Sequence, residues 1–308
     1  MQPIVTILLA TYNGGAYLEA QLDSLLKQSY KNIIIIARDD GSSDNTVEVL
    51  NQYKVLCLEA NESLGAKRSF STLLAYAMQH TMSDYFMFCD QDDVWNADKV
   101  ELTLAAMQEH EGVNTPTLVH TDVSVVDETL QPIATSLWQF EYINPHLNSL
   151  NRLLMHNTIT GCTAMINRAL AQKALPVANE AIMHDWWLGL AASQFGTIVP
   201  LQKQTLLYRQ HQNNDTGAKA YTLYNVVQKA INLFKNDPSA TQHLHDKTKQ
   251  AQAFLTRFDS ELPQETRMML DRFSALSTQS FWGKRLIMLR YKILKYGFVR
   301  NVGLLLKL

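Results

Sequence analysis

The sequence predicts an α/β fold: a mostly parallel sheet with helices on both faces, followed by a C-terminal helical extension. Three observations predict it. Short runs rich in Ile, Val, Leu and Phe alternate with segments of helical period through residues 4–110. Two of those runs end abruptly in acid, Ile33-Ile34-Ile35-Ile36 leading to Asp39-Asp40 and Phe86-Met87-Phe88-Cys89 leading to Asp90-Gln91-Asp92-Asp93. Beyond residue 217 no strand pattern remains. Three carboxylates within four positions repel one another unless a cation sits among them. Parallel strands bring such ends to one edge, where a nucleotide and its metal can bind.

Each element has its own signal. Residues 4–11 read as the first strand; they lack the basic leader of a secretion signal, and the run breaks at Thr11-Tyr12-Asn13-Gly14-Gly15. A helix over 17–28 places Leu18, Leu22, Leu25 and Leu26 on one face. A strand at 32–39 follows, then a helix over 44–53 with Ser43 or Asp44 as its N-cap. The alternation continues through a strand at 55–59, a helix over 68–79 and a strand at 85–90. Asn96 caps a helix over 97–110, and a strand occupies 117–126. The pattern then becomes mixed: a helix over 147–155, a strand at 160–166, a short helix from Arg168, a helix from Asp185, and strand pieces at 197–200 and 205–208. Helices at 221–234, 241–258, 264–276 and from 283 onward complete the chain, punctuated by Pro238 and Pro263. The expected boundary near Thr216 divides a nucleotide-binding α/β domain, residues 1–216, from a helical region, residues 217–308.

Composition narrows the class. With 46% hydrophobic and 18% charged residues the chain is an ordinary globular protein, and a formal net charge of -2 argues against a nucleic-acid partner. No apolar run approaches the ~18 residues that span a bilayer. Cys57, Cys89 and Cys162 are odd in number and lack metal-type spacing, which reads as reduced, buried thiols in a cytoplasmic protein.

Three strand ends can carry chemistry. Backbone groups at Thr11–Gly15 can meet a base or a ribose, although Asn-Gly-Gly is also an ordinary turn. Asp39 and Asp40 can accept from a pyrimidine N3–H or a ribose hydroxyl, and Ser43 and Asp44 already suffice for capping. Asp90 and Asp92 fall on the same side of an extended chain, and their hard oxygens suit Mg2+ or Mn2+ bridging a diphosphate.

Together Ala10-Thr11-Tyr12-Asn13-Gly14, Asp39-Asp40-Gly41-Ser42-Ser43-Asp44 and Asp90-Gln91-Asp92-Asp93-Val94-Trp95 resemble the motifs of family 2 glycosyltransferases with the GT-A fold. His184-Asp185-Trp186-Trp187 and the segment from Tyr208 to Asn214 are similar to the bacterial rhamnosyltransferase-like branch. The resemblance covers residues 3 to 216 and implies roles. Thr11 and Asp39 would hold the base, with Tyr12 beside them and Asn13 or Asp40 near the ribose. Asp90, Gln91 and Asp92 would form the donor and metal motif, with Asp92 the direct ligand and His211 a late ligand of the same ion. Lys67, in a second nucleotide loop, would approach the diphosphate, although Arg68 departs from the family's usual Asn. Asp185 matches the catalytic base; Trp186 and Trp187 would offer aromatic surface to sugar rings, and Gly161 would lie on the acceptor side.

Residues 282–308 carry seven basic side chains (Lys284, Arg285, Arg290, Lys292, Lys295, Arg300, Lys307), no acid, and interleaved Leu, Ile and Phe. Such a segment reads as a helix adhering to an anionic membrane or as one packed on the domain or on a second copy, making a homodimer; the membrane reading is preferred. The expectation is an inverting, metal-dependent transferase moving L-rhamnose from dTDP-L-rhamnose to a surface polysaccharide or lipid-linked glycan at the inner face of a bacterial membrane. Transfer of a hexose or N-acetylhexosamine from a UDP-sugar is the alternative, because uracil and thymine present the same edge to Asp39. A nucleotidyltransferase would want a basic glycine-rich loop at Thr11–Gly15, and an inactive binding protein would not need Asp90, Asp92, Asp185 and His211 intact.

Overall fold

In the computed structural model, residues 2–58, 62–212, 218, 220 and 238–308 are described. Strands β1 (Val5–Thr11), β2 (Ile33–Asp39), β3 (Leu56–Leu58) and β4 (Tyr85–Cys89) alternate with helices α1 (Leu18–Leu26), α2 (Thr46–Gln52) and α3 (Gly65–His80). β5 (Val94–Trp95), α4 (Lys99–His110), β6 (Thr117–Val126) and β7 (Pro132–Ala134) come next. They precede α5 (Leu137–Phe140), α6 (Leu150–Leu153), β8 (Met165–Asn167), α7 (Arg168–Ala174), α8 (His184–Phe195) and β9 (Thr197–Arg209). The described tail is α9 (Pro238–Phe258), α10 (Gln264–Ser274), α11 (Phe281–Arg290) and α12 (Phe298–Lys307).

One nine-stranded sheet runs in the order β3-β2-β1-β4-β8-β6-β9-β5, with β7 on β6. The first four strands are parallel, as the alternation requires, and β8 enters antiparallel to both β4 and β6. Register places Thr11 opposite Asp39 and Leu9 opposite Cys89, so the ends carrying Thr11, Asp39 and Asp90 lie side by side. Both faces of the central strands are buried, which is why β4 reads as an unbroken apolar run.

Several local expectations shift. Leu18, Leu22 and Leu25 are buried under α1, whereas Leu26 ends the helix exposed. Neither Ser43 nor Asp44 is the N-cap of α2; the helix begins one residue after Asn45, and Asp44 instead accepts from the Thr46 and Gly15 amides. Asp98, not Asn96, precedes α4, because the Asn96 side chain is drawn off to the Gln204 carbonyl. The segment 160–166 holds a 3-10 turn, Gly161–Thr163, before the short β8. The two strand pieces near 200 join in the single strand β9. The helix from 283 is two helices, parted by residues 291–297 with Lys292 and Gly297 at positive φ.

The helix at 221–234 and the boundary near Thr216 lie outside the described residues. Helices α9 to α11 share the core of the sheet domain. Phe254 and Phe258 meet the Trp187 ring at 5.5 and 6.3 Å, while Leu270, Phe273, Ile287, Met288 and Ile293 belong to the same buried cluster. The cysteines are unpaired, with Cys89 and Cys162 buried and Cys57 half-buried. No described helix is long and apolar enough to cross a membrane.

Candidate active site

Chain ends at the edge of β1, β2 and β4 are laced together by side chains. Thr11 donates to Asp39 Oδ1 at 2.9 Å, and Asp39 also accepts from Ser42 Oγ at 2.5 Å and from the Gly41 and Ser42 amides at 3.1 and 2.8 Å. Asn13, at φ 48°, accepts from the Ser43 amide at 2.8 Å and so ties the β1 turn to the β2 turn. Gln91 does the same from β4: its amide accepts from Tyr12 N at 2.8 Å and donates to Tyr12 O at 2.9 Å, leaving the Tyr12 side chain exposed. A Cβ on Gly14 would fall 2.1 Å from Gln91 Oε1, so glycine is required for that clamp.

Asp40 and Lys67 do not sit as the resemblance implies. Asp40 accepts from the Leu64 and Gly65 amides at 2.7 and 2.8 Å, from Ser63 Oγ at 2.8 Å, and from Arg38. Burial raises its carboxyl, but these donors outweigh it and hold the group at about 2. Its oxygens are drawn to the 62–65 loop, whereas those of Asp39 are drawn to Thr11 and to its own 41–42 turn, so the two adjacent acids tie down different segments. The Lys67 ammonium donates to the carbonyls of Asn179 and Ala181, both at 2.7 Å, and clamps that loop where a diphosphate contact was expected.

Below the β4 end lies an acidic site. Asp92 Oδ2 stands 2.7 Å from His211 Nε2, a pairing across the sheet that depends on β9 returning beside β5. His211 stacks on Tyr17 with centroids 4.8 Å apart, and Arg209 lies 4.7 Å over the other partner of that stack, the same Tyr17 ring. Arg209 also donates to Asp92 O at 2.7 Å and, through its amide, to Asp93 Oδ1 at 3.2 Å, fixing the acidic loop. Ligand atoms of Asp90, Asp93 and Cys162 lie within 4.8 Å of one another. Asp93 is fully buried with one oxygen unpartnered. Burial, then the charges of Asp92 and Asp90, push its carboxyl well above the ordinary range. Of these donors the Asp90 and Asp93 oxygens suit a hard divalent cation and the Cys162 sulfur does not, while Asp92 and His211 stand within hydrogen-bonding distance of each other.

Gly161 and Cys162 lie between this site and Asp185. Cys162 touches the acidic group, while a Cβ on Gly161 would lie 3.1 Å from His184 Nε2 and 3.7 Å from Asp185 Cβ. Asp185 stands in the first turn of α8, where the helix dipole favours an anion, and is 6% exposed. Its Oδ1 accepts from Trp186 N at 2.6 Å and its Oδ2 from Asn157 Nδ2 at 3.2 Å. Burial nevertheless pushes the carboxyl up to about 7, the value that suits a general base near neutral pH.

The two tryptophans part company. Trp186 is half-buried, donates through Nε1 to Leu153 O and carries Lys247 5.8 Å from its ring centroid. Trp187 is wholly buried, donates to Ala174 O and packs on Phe254; it is core and offers no sugar surface. Asn157 carries no signal in the sequence, since nothing local marks it as the partner of Asp185. Asn213 and Asn214 lie outside the described residues.

Comparisons with known proteins bear on the family and the fold. The family model described as glycosyl transferase family 2 matches residues 6–174. The chain is 27% identical over 243 residues to the dTDP-rhamnosyl transferase RfbG of Shigella flexneri, covering 74% of this chain and 79% of that one. It is 26% identical over 187 residues to the UDP-Glc:alpha-D-GlcNAc-diphosphoundecaprenol beta-1,3-glucosyltransferase WfgD of Escherichia coli, covering 59% of this chain and 68% of that one. Among solved structures, residues 1–349 of Staphylococcus aureus TarS in complex with UDP-GlcNAc align with a TM-score of 0.55 at 14% identity, over 92% of this chain and 84% of that one.

Proposed function

The chain belongs to glycosyl transferase family 2 and is a glycosyltransferase of GT-A fold; from that premise we propose an inverting, metal-dependent transfer of L-rhamnose from dTDP-L-rhamnose to a bacterial surface polysaccharide or lipid-linked glycan. The observation that carries the reading is the placement of a carboxyl titrating at about 7 beside Gly161, one residue from the Cys162 that touches the acidic metal motif. Asp185 removes the acceptor hydroxyl proton as the oxygen attacks the anomeric carbon, and the sugar inverts in one displacement. Thr11, Asn13 and Asp39 meet the nucleoside at the carboxyl edge of β1 and β2. Asp92, His211 and Asp90 would hold Mg2+ or Mn2+, which would supply countercharge for a departing diphosphate. Arg209 and Gln91 keep that loop in register with Tyr12. Trp186 faces the acceptor.

Rhamnose is favoured by the RfbG likeness over 74% of the chain. A second reading, transfer of glucose or a related sugar from UDP, is favoured by the WfgD likeness. A donor panel decides between them: metal-dependent release of dTDP from dTDP-L-rhamnose is expected, and turnover confined to UDP-sugars would overturn the rhamnose assignment.

The tail supports peripheral attachment to the inner face of the membrane. Trp282 and Phe298 are 76% and 83% exposed, with Phe281, Leu286 and Leu289 beside them, amid seven cations and no acid from 282 on. Ile287, Met288 and Ile293 point inward, so the helices combine a packed face with an open one.

A further inference from the structure

Helix α8 begins at His184 behind Met183, whose side chain makes no capping bond, so no local device fixes the turn that carries Asp185. That turn is entered through the connection 175–183 from α7, and one peptide unit of the connection, Ala181–Ile182, is gripped at both edges. The Lys67 ammonium, in the first turn of α3, donates to Ala181 O at 2.7 Å. The Ile182 amide donates to Gln250 Oε1 of α9 at 2.8 Å. This peptide is trans, so its C=O and N–H point in opposite directions and the two helices hold its plane from opposite sides. A plane held at one edge can swing about that contact. Held at both, it fixes ψ of Ala181 and φ of Ile182, two residues before the helix.

Each grip is specific in its chemistry. Lys67 donates also to Asn179 O at 2.7 Å, and Arg68 reaches Asn179 Oδ1 at 3.4 Å, so one turn of α3 takes the connection at three acceptors. A charged donor makes the stronger kind of bond to a carbonyl. Gln250 is wholly buried on a helix whose Ala251 and Phe254 belong to the core, and its Nε2 has no partner among the described residues. A leucine there would avoid burying that unpaired amide but would leave the Ile182 N–H without an acceptor. The other end of α3 faces the nucleotide edge: Asp40, next to Asp39, accepts from the Leu64 and Gly65 amides at the helix start. One helix start therefore joins the carboxyl edge of β2 to the loop that leads into the base.

We propose that Lys67 and Gln250 are positioning residues for Asp185: gripping the Ala181–Ile182 peptide from its two edges, they set the N-terminal turn of α8 and with it the place of the base. The inference rests on the transferase reading, because it concerns the base of that reaction. It gives the C-terminal region a part in the active site through α9, and it gives Lys67 a task other than contact with a diphosphate. A displacement of about 1 Å at a reacting group can cost about 10²-fold in rate, and a swung peptide plane so close to Asp185 is a displacement of that kind.

The test uses the full chain in Mg2+ and measures dTDP affinity by calorimetry together with the release of dTDP from dTDP-L-rhamnose, or of UDP from the UDP-sugar that the donor panel selects. K67M and Q250M each remove one grip and keep the side-chain length. Each should lower kcat about tenfold or more with nucleotide affinity unchanged, and K67R, which keeps a charged donor, should regain most of the rate. In K67M/Q250M the loss should fall well short of the product of the single losses, because both grips act on the same peptide. Deuterium uptake should rise across 181–187 in both single variants and stay unchanged over 39–46. If the buried Gln250 cannot be replaced without unfolding, K67M, K67R and the uptake measurement carry the test. Weakened nucleotide binding by K67M would return that lysine to the diphosphate and overturn the bracket. Unchanged kcat in a folded single variant, no rate regained by K67R, or fully multiplicative losses in the double variant would also overturn it. A wild type that turns over no sugar nucleotide removes the transferase reading; raised uptake across 181–187 in K67M then retains the bracket, and unchanged uptake removes it too.

Discussion

Replacing Asp185 by Asn separates its chemical role from its electrostatic cost. The wild-type carboxyl is lifted from 3.8 to about 7, first by burial and against hydrogen bonds from Trp186, Asn157 and Gly161. In the unfolded chain it ionises near 3.8, so between that value and 7 the native state keeps a proton the unfolded state has lost. Stability from this group is therefore complete below about pH 4 and is lost as pH rises through about 7. At 1.36 kcal/mol per pH unit, the loss from pH 5 is about 2.3 kcal/mol at pH 7, where the native carboxyl is half ionised, and about 2.7 kcal/mol by pH 8. An amide at this position does not titrate. The stability of D185N relative to the wild type should thus rise by about 2.7 kcal/mol from pH 5 to pH 8, whatever constant is lost at the Asn157 contact. Urea unfolding of both proteins at four pH values reads this directly. Transfer should fall by ~10²-fold or more in D185N with donor affinity intact, and the wild-type rate should drop about tenfold per unit below pH 7. Parallel stability curves would show that the carboxyl is not desolvated. Collapse of donor affinity would put Asp185 in the donor site and the base elsewhere.

Asp92→Asn should abolish transfer and metal-stimulated donor binding, because a full charge beside His211 becomes an amide; unchanged turnover at saturating Mg2+ or Mn2+ removes the metal assignment. Trp187→Ala should cost about 3–5 kcal/mol by emptying the contact with Phe254, whereas Trp186→Ala should mainly raise the acceptor KM, and equal destabilisation by the two would contradict their division into core and site. Gln91→Leu removes both bonds to the Tyr12 backbone and should weaken donor binding about tenfold for a stability change of about 1–2 kcal/mol; unaltered affinity would mean the clamp does not shape the nucleotide site. Trp282→Ser with Phe298→Ser should reduce salt-sensitive binding to anionic vesicles without lowering the melting temperature, since both side chains are exposed. A lowered melting temperature with unchanged vesicle binding would assign that face to packing.

Features that depend on neighbours along the chain are legible in the amino-acid order alone. Alternating apolar runs and helical periods are local, and parallel β/α units have little choice of topology, so the edge bearing Thr11, Asp39 and Asp90 was legible. Acid at a buried strand end is likewise visible without coordinates. Other properties required the tertiary structure because they are set by what arrives from far away. Trp186 and Trp187 are adjacent and chemically alike, and only the packing of α9 makes one core and leaves the other at the site. Asp39 and Asp40 look equivalent in sequence, but Asp39 is tied to Thr11 and its own turn and Asp40 to the 62–65 loop. Lys67 meets carbonyls more than a hundred positions away, and His211 reaches Asp92 only because β9 pairs with β5. Lys247 and the stretch bearing Lys295 and Arg300 are far apart in sequence and act together on His156 only once the chain has folded. Hydrophobic period survives any context, whereas burial, hydrogen-bond saturation and charge crowding belong to the folded surroundings.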